Sequence, residues 1–217
     1  LQTARDFVLD DPGRNLMIRI PLGGGTSSLS TDRGATWRPF YALRHEPRPV
    51  VRVSPATRLL IAGQAPGRLV HETGLPWNDP SGNRLRDWMG LDGETFYGPR
   101  IGVAAMAFCF PGTNPKGGDF PPPSRCAGLW RRRLLDALPK MELTLLVGGH
   151  AQAWTLGKRA KPNMTETVRA WREYAGEGLL PLPHPSWRNT SWLKRHPWFE
   201  AEVVAHLRHE VARLLAR

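Results

Sequence analysis

Two short loops in this 217-residue chain carry side chains able to act on a polar ligand. The first, Gly63-Gln64-Ala65-Pro66-Gly67, follows the apolar run Leu59–Ala62; the second, His184-Pro185-Ser186-Trp187-Arg188-Asn189, follows Leu179–Leu182. Loops at the carboxyl ends of buried strands are where α/β proteins build ligand pockets, so two of them on one sheet edge can face each other. Together they offer a histidine, an amide, a hydroxyl, an indole and a guanidinium. Trp77 and Asp79 add an aromatic face and a carboxylate just downstream, with His71 and Glu72 as weaker candidates. Trp77 beside Pro76 reads less well as a packing residue, and Asp79 before Pro80 reads equally as a turn residue. His150, after Gly148-Gly149, reads as structural. Cys109 and Cys126 are the only two cysteines, too few for a disulfide framework or for a four-ligand metal site. No Ser/His/Asp arrangement and no metal motif is present, and no lysine occupies an obvious nucleophile position.

The formal charge is +11 and the pI about 10.7, with most of the excess from arginine. Arginine's planar fork suits phosphate oxygens, so the balance points to a polyanion, with nucleic acid first. A solvated basic surface is the plainer reading. The longest apolar runs fall far short of a membrane span. Asp6, Asp10, Asp11 and Arg14 interrupt any signal-peptide apolar region within Leu1–Ile20. A reducing, cytoplasmic location is expected, as is a monomer without membrane contact.

The elements that must hold these loops follow a strand–loop–helix rhythm from Arg58 onward. Strands are expected at Arg58–Ala62, Ile101–Phe108, Leu143–Val147 and Leu179–Leu182, apolar throughout as strands covered on both faces should be. Ser81 is expected to cap a helix carrying Leu85, Trp88 and Met89. Ser124 is expected to cap another reaching about Leu138, with Arg131, Arg132 and Arg133 on its wetter flank. Pro197–Leu215 keeps a 3.6-residue beat through Phe199, Val203, Val204, Leu207, Val211, Leu214 and Leu215. The alternation predicts a three-layer α/β/α fold around a central, mostly parallel four-stranded sheet. One domain is expected over residues 46–217. Residues 1–45 form an extension of uncertain role, with a short strand near Asn15–Leu22 and a mobile Gly23-Gly24-Gly25 loop that lacks the Lys-Ser/Thr of a P-loop.

These pieces, in this order, resemble the uracil-DNA glycosylase superfamily over about residues 58–210. Gly63–Gly67 matches its first motif, a G-x-x-P-G/Y loop, and His184-Pro185-Ser186 its second. The chain is most similar to the bacterial and archaeal families four and five. Gly74–Trp77 and Ser81-Gly82 match their G-x-P-F and small-Gly segments, Cys109–Pro111 their C-x-P, Leu145–Gly148 their third strand, and His184–Asn189 the H-P-S-x-x-N of family five.

The resemblance implies roles. His184 would stabilise the departing uracil anion at O2, with the backbone N–H groups of Gln64 and Ala65 as further donors. Trp77 would stack on the flipped base; Pro66, Gly67, Ala105 and Phe108 would complete the pocket. Asp79 would serve the sugar side. Ser186, Trp187, Arg188, Asn189, Arg68 and Lys116 would hold DNA, with Trp187 and Arg188 entering the space left by the flipped nucleotide.

Departures matter as much as matches. Families four and five carry an iron–sulfur cluster on four cysteines; only the later pair has counterparts here, so no cluster and no cofactor are expected. Ala65 stands where other branches place Asp or Asn. Gln64 stands where family four places Glu, and Ala105 where an Asn often selects uracil. The implied activity is monofunctional excision of uracil from DNA without lyase chemistry, with other deaminated bases as an extension of the range. The alternatives are a protein that captures uracil or abasic sites and turns over poorly and, more remotely, a nucleotide-binding protein unrelated to repair.

Overall fold

The structure, a computed structural model, describes the backbone of four strands between residues 4 and 39, and residues 48–216 in full. The four strands, β1 (Ala4–Val8), β2 (Met17–Pro21), β3 (Ser28–Ser30) and β4 (Arg38–Pro39), form an antiparallel meander in sequence order. β2 coincides with the strand expected near Asn15–Leu22. The Gly23–Gly25 loop and the expected boundary at residue 46 lie outside the described residues.

The central sheet consists of β5 (Leu59–Ala62), β6 (Ile101–Val103), β7 (Leu143–Val147) and β8 (Leu179–Leu182) in the order β6-β5-β7-β8, all parallel. Side chains alternate between faces with the period of two that a strand imposes. Leu59, Ile61, Leu145, Val147, Leu180 and Leu182 pack to one side, against Leu85, Trp88 and Met89 of α2 (Pro80–Met89) and the C-terminal helix. Leu60 meets Trp130 and Leu138 on the other side. Ala62 and Leu146 share that second face with Ala127, Ala151, Leu156 and Tyr174. Covered on both faces, the sheet is the middle of a three-layer α/β/α domain, as the run of apolar strands implies.

Short helices connect the strands: α1 (Arg68–Thr73) precedes α2, and α3 (Gly93–Phe96) leads into β6. α4 (Ser124–Asp136) precedes β7, while α5 (Gly149–Leu156), α6 (Met164–Arg169) and α7 (Arg172–Ala175) join β7 to β8. α8 (Thr190–Arg195) follows, then a π-helical stretch over Phe199–Val204 running into α9 (Ala205–Ala216). The expected C-terminal beat holds across that junction: Phe199, Val203, Val204, Leu207, Val211 and Leu214 are all buried. Among the described residues, no helix is long and apolar enough to cross a membrane.

Four local expectations are corrected. The second strand ends at Val103, not Phe108. The next residues leave the ladder and wrap the end of β5 through Ala104 N–H to Ile61 O, Met106 N–H to Gly63 O and Ala107 N–H to Gln64 O. They are nearly all buried, and burial alone does not distinguish a strand from a tightly packed irregular segment. The cap of α2 is Asp79, accepting from Gly82 N–H at 2.8 Å, with Pro80 in the first turn where its missing N–H costs nothing. Ser124 is the first helical residue of α4, and no side chain caps that helix. Arg131 is only 2 % exposed instead of solvated. It reaches inward to donate to Ala104 O at 2.9 Å, and burial pulls its guanidinium down to about 10.

Candidate active site

β5 stops at Gly63, and its loop is fastened from beneath. Gly63 and Gln64 spend their carbonyls on Met106 and Ala107 N–H at 2.9 and 3.1 Å. With those carbonyls turned away, the N–H groups of Gln64 and Ala65 make no hydrogen bond among the described residues. The loop forms one wall of a cleft of about 460 Å³ at the carboxyl ends of the strands. Gln64, Ala65, Pro66 and Gly67 line it together with Trp77, Asp79 and Ala105. His184, Ser186, Arg188 and Asn189 close it from the second loop. Residues over a hundred positions apart therefore share one cavity, because β5 and β8 run parallel and end at the same sheet edge.

Trp77 holds the middle. Its backbone has φ +56°, and it is the one non-glycine residue in the left-handed region among those described. A bulky side chain there costs of order 1–3 kcal/mol and persists only where the surroundings enforce it. The enforcement is visible: Arg86 Nη1 donates to Trp77 O at 2.9 Å, and Tyr97 Oη donates to Pro76 O at 2.8 Å. Gly82 supplies the room, since a Cβ there would sit 1.7 Å from Trp77 O. The indole runs over Gly63, whose notional Cβ lies 3.2 Å from Trp77 Cζ2. Its centroid is 5.7 Å from that of the His184 ring.

His184 is half-buried, and Asn189 Nδ2 donates to its carbonyl at 2.7 Å, folding the loop back on itself. Burial holds the imidazole below its ordinary pKa and Arg188 adds to this, while Asp79 opposes it. A neutral imidazole still has one N–H to donate, and its donation costs no proton. Asp79 caps α2 and at the same time lines the cleft. Gln64 does not aim its amide only at a ligand, because Nε2 donates to Phe120 O at 3.3 Å.

Other expected residues sit elsewhere. Phe108 does not line the cleft: its ring packs 6.5 Å from Trp130 in the core, and its carbonyl accepts from Val50 N–H at 2.7 Å. Arg68, Lys116 and Trp187 stand on the surface outside the cleft lining, Trp187 being 76 % exposed with Arg188 over its ring. His71 and Glu72 lie on α1, away from the cleft, where their carbonyls accept from Arg48. His150, read as structural, is exposed at the start of α5.

Two contributors had no signal in the sequence. Arg84, on α2, donates to Ser186 O at 3.1 Å and so ties the Trp77 side of the cleft to the histidine loop. Asp119 enters the cleft from a hairpin, residues 112–120, in which Phe120 N–H bonds Gly112 O and Asn114 N–H bonds Gly118 O.

Cys109 and Cys126 are both buried, free thiols. Burial pushes Cys109 up to about 12, with Cys126 adding to the effect, and Cys126 itself up to about 11. Thiolate is the metal-binding form, and two such thiols do not fit a four-cysteine iron–sulfur cluster. Among the described residues no group of three or more His, Cys, Asp or Glu could hold a metal.

An NMR structure of a candidate uracil DNA glycosylase from Methanosarcina acetivorans is 20% identical to this chain, with 73% of this chain and 94% of that one covered and a TM-score of 0.43. The family model of the uracil DNA glycosylase superfamily matches residues 51–208, which contain both cleft loops, Trp77 and the whole parallel sheet. By that match the chain belongs to the uracil DNA glycosylase superfamily.

Proposed function

We propose that this protein is a monofunctional glycosylase that flips uracil out of DNA and hydrolyses its N-glycosidic bond. The observation that carries the reading is the meeting, in one cleft of about 460 Å³, of an indole face, a histidine whose pKa burial lowers and the unspent N–H groups of Gln64 and Ala65. Such a volume is in the range of small-ligand sites, and one pyrimidine fits within it. Stacking on Trp77, worth about 1–3 kcal/mol, offsets much of the few kcal/mol needed to extrude a base. As the C1′–N1 bond breaks, N1 keeps the electron pair and charge spreads to O2. Each well-placed donor there contributes roughly 3–4 kcal/mol, and His184 with the Gln64 and Ala65 N–H groups fills that role. Asp79, which also lines the cleft, supplies a negative charge that favours the cationic sugar. Arg188, Ser186 and Asn189, with Arg68 and Lys116 further out, bind the flanking phosphates, and Trp187 occupies the vacated stack. A DNA-bound monomer acting in the cytoplasm follows from the same reading.

One observation favours a second reading, capture of uracil or abasic sites with poor turnover: at the loop position next to the donors the cleft presents Ala65, a methyl group that cannot accept a proton. A labelled oligonucleotide with a single uracil, incubated with protein and then alkali, separates the two. Cutting in many-fold excess over protein supports the glycosylase. A retained complex with at most one cut per protein supports capture. Neither cutting nor uracil-dependent retention would overturn both.

A further inference from the structure

Resting on the glycosylase reading, we propose that Asp119 is the residue that holds the attacking water and takes its proton. The reaction needs an acceptor, and the other cleft groups are engaged. Ala65 has none, and Gln64 is a neutral amide tied to Phe120. Asp79 Oδ1 accepts from Gly82 N–H as the cap of α2. His184 is given over to the leaving base.

Asp119 is differently placed. It lies at the open edge of the cleft, with Oδ2 3.6 Å from where a Cβ on Gly67 would sit. It therefore stands against the end of the Gln64–Gly67 loop, which carries the unspent N–H groups of Gln64 and Ala65. Its hairpin is held in position: Asp119 pairs with Thr113 in an isolated bridge, and Gly117 and Gly118 take φ of +98° and +78° to make the turn. The bond from Gln64 Nε2 to Phe120 O, one residue beyond Asp119, then ties that hairpin to the base-binding loop. The single tie explains why a neutral Gln is useful at position 64: it fixes the acceptor instead of being one.

The charges around Asp119 suit the role. Arg188, on the histidine loop, and Arg68, on α1, favour its ionised form, while desolvation works against them and wins, leaving the carboxyl above its usual value. Asp79 and His184 line the same cleft. A carboxylate made more basic than in water is the better proton acceptor. In the step itself the C1′–N1 bond breaks with its electron pair leaving on N1, and water oxygen bonds C1′. The water proton passes to Asp119, and solvent later protonates the uracil anion and takes the proton from Asp119.

The test is single-turnover uracil release across pH for the wild type, Asp119→Asn and Asp119→Glu, with retention of uracil-containing DNA and thermal midpoints measured on each. Asp119→Asn is expected to slow release by about 100-fold or more, to keep DNA retention, and to lose the acid-side fall in rate seen in the wild type. Asp119→Glu is expected to recover part of the rate and to restore that fall. If the wild type releases uracil and Asp119→Asn matches it within about threefold with the same pH profile, Asp119 is not the acceptor and the glycosylase reading stands. If the wild type itself releases no uracil, both fall together.

Discussion

Gly82→Ala is the sharpest probe of how the cleft is held. The added Cβ would meet Trp77 O at 1.7 Å, the carbonyl carbon at 2.5 Å and Trp77 Cα at 2.9 Å. All three are backbone atoms, so no side-chain rotation relieves the clash. Ordinary contact distances are about 3.5–4.0 Å between carbons, so Trp77 must move by more than ~1 Å. That movement breaks the Arg86–Trp77 O bond and overpacks the start of α2, together costing about 2–4 kcal/mol. Relief of the left-handed Trp77 backbone returns part of this, about 1–3 kcal/mol, so the fall in melting temperature should be modest, up to roughly 10 °C. The rate should suffer more, because a displacement of about 1 Å in a positioning group can cost ~100-fold. Gly63→Ala is the graded control: its Cβ would lie 3.2 Å from Trp77 Cζ2, the edge of a ring that can yield by a few tenths of an ångström. It should slow release by less than ~10-fold and change stability by under ~1 kcal/mol. The assays are thermal unfolding and single-turnover release from uracil-containing DNA. Wild-type melting and wild-type release in Gly82→Ala would refute the claim that Trp77 is locked by α2.

His184→Ala should reduce release by about 10²–10³-fold while DNA retention persists, since it removes an anion donor and leaves the basic rim. Because burial lowers the His184 pKa, the unfolded chain takes up a proton near pH 6.5 before the folded one does. Stability should thus fall as pH drops from about 6.5 to the lowered folded value, and His184→Asn, measured by denaturant titration, should flatten that part of the curve. For Arg188→Ala, DNA affinity measured against salt should show a slope shallower by about 0.9, the share of one phosphate contact. Thiol reagents at mildly alkaline pH should leave Cys109 and Cys126 unmodified in the folded protein and label both in denaturant, because burial holds both thiols protonated. Strong chelators should not change uracil release.

Part of this site could be read directly from residues and part could not, and the division is physical. Strand runs such as Leu143–Val147 and Leu179–Leu182 are apolar because both faces are covered, so their position and parallel order follow from composition and spacing. The apolar stretch after Val103 reads as strand for the same reason, yet leaves the ladder. Burial looks alike whether the backbone pairs in a ladder or wraps a neighbouring loop, and the choice rests on which carbonyls are free, here Ile61, Gly63 and Gln64. Arg131, in a helical position next to Arg132 and Arg133, reads as wet, whereas it turns inward to give the carbonyl of Ala104 a donor.

The Gly63–Gly67 and His184–Asn189 loops, Trp77 and Asp79 were therefore determined by the chain's own letters, since local motifs carry their chemistry in residue type and short spacing. The left-handed backbone at Trp77, the lowered pKa of His184, the Arg84 tie to Ser186 and the entry of Asp119 were decided only in three dimensions. Each depends on what lies across the cleft from it, and partners that far apart in sequence meet only once the parallel sheet brings its strand ends to one edge.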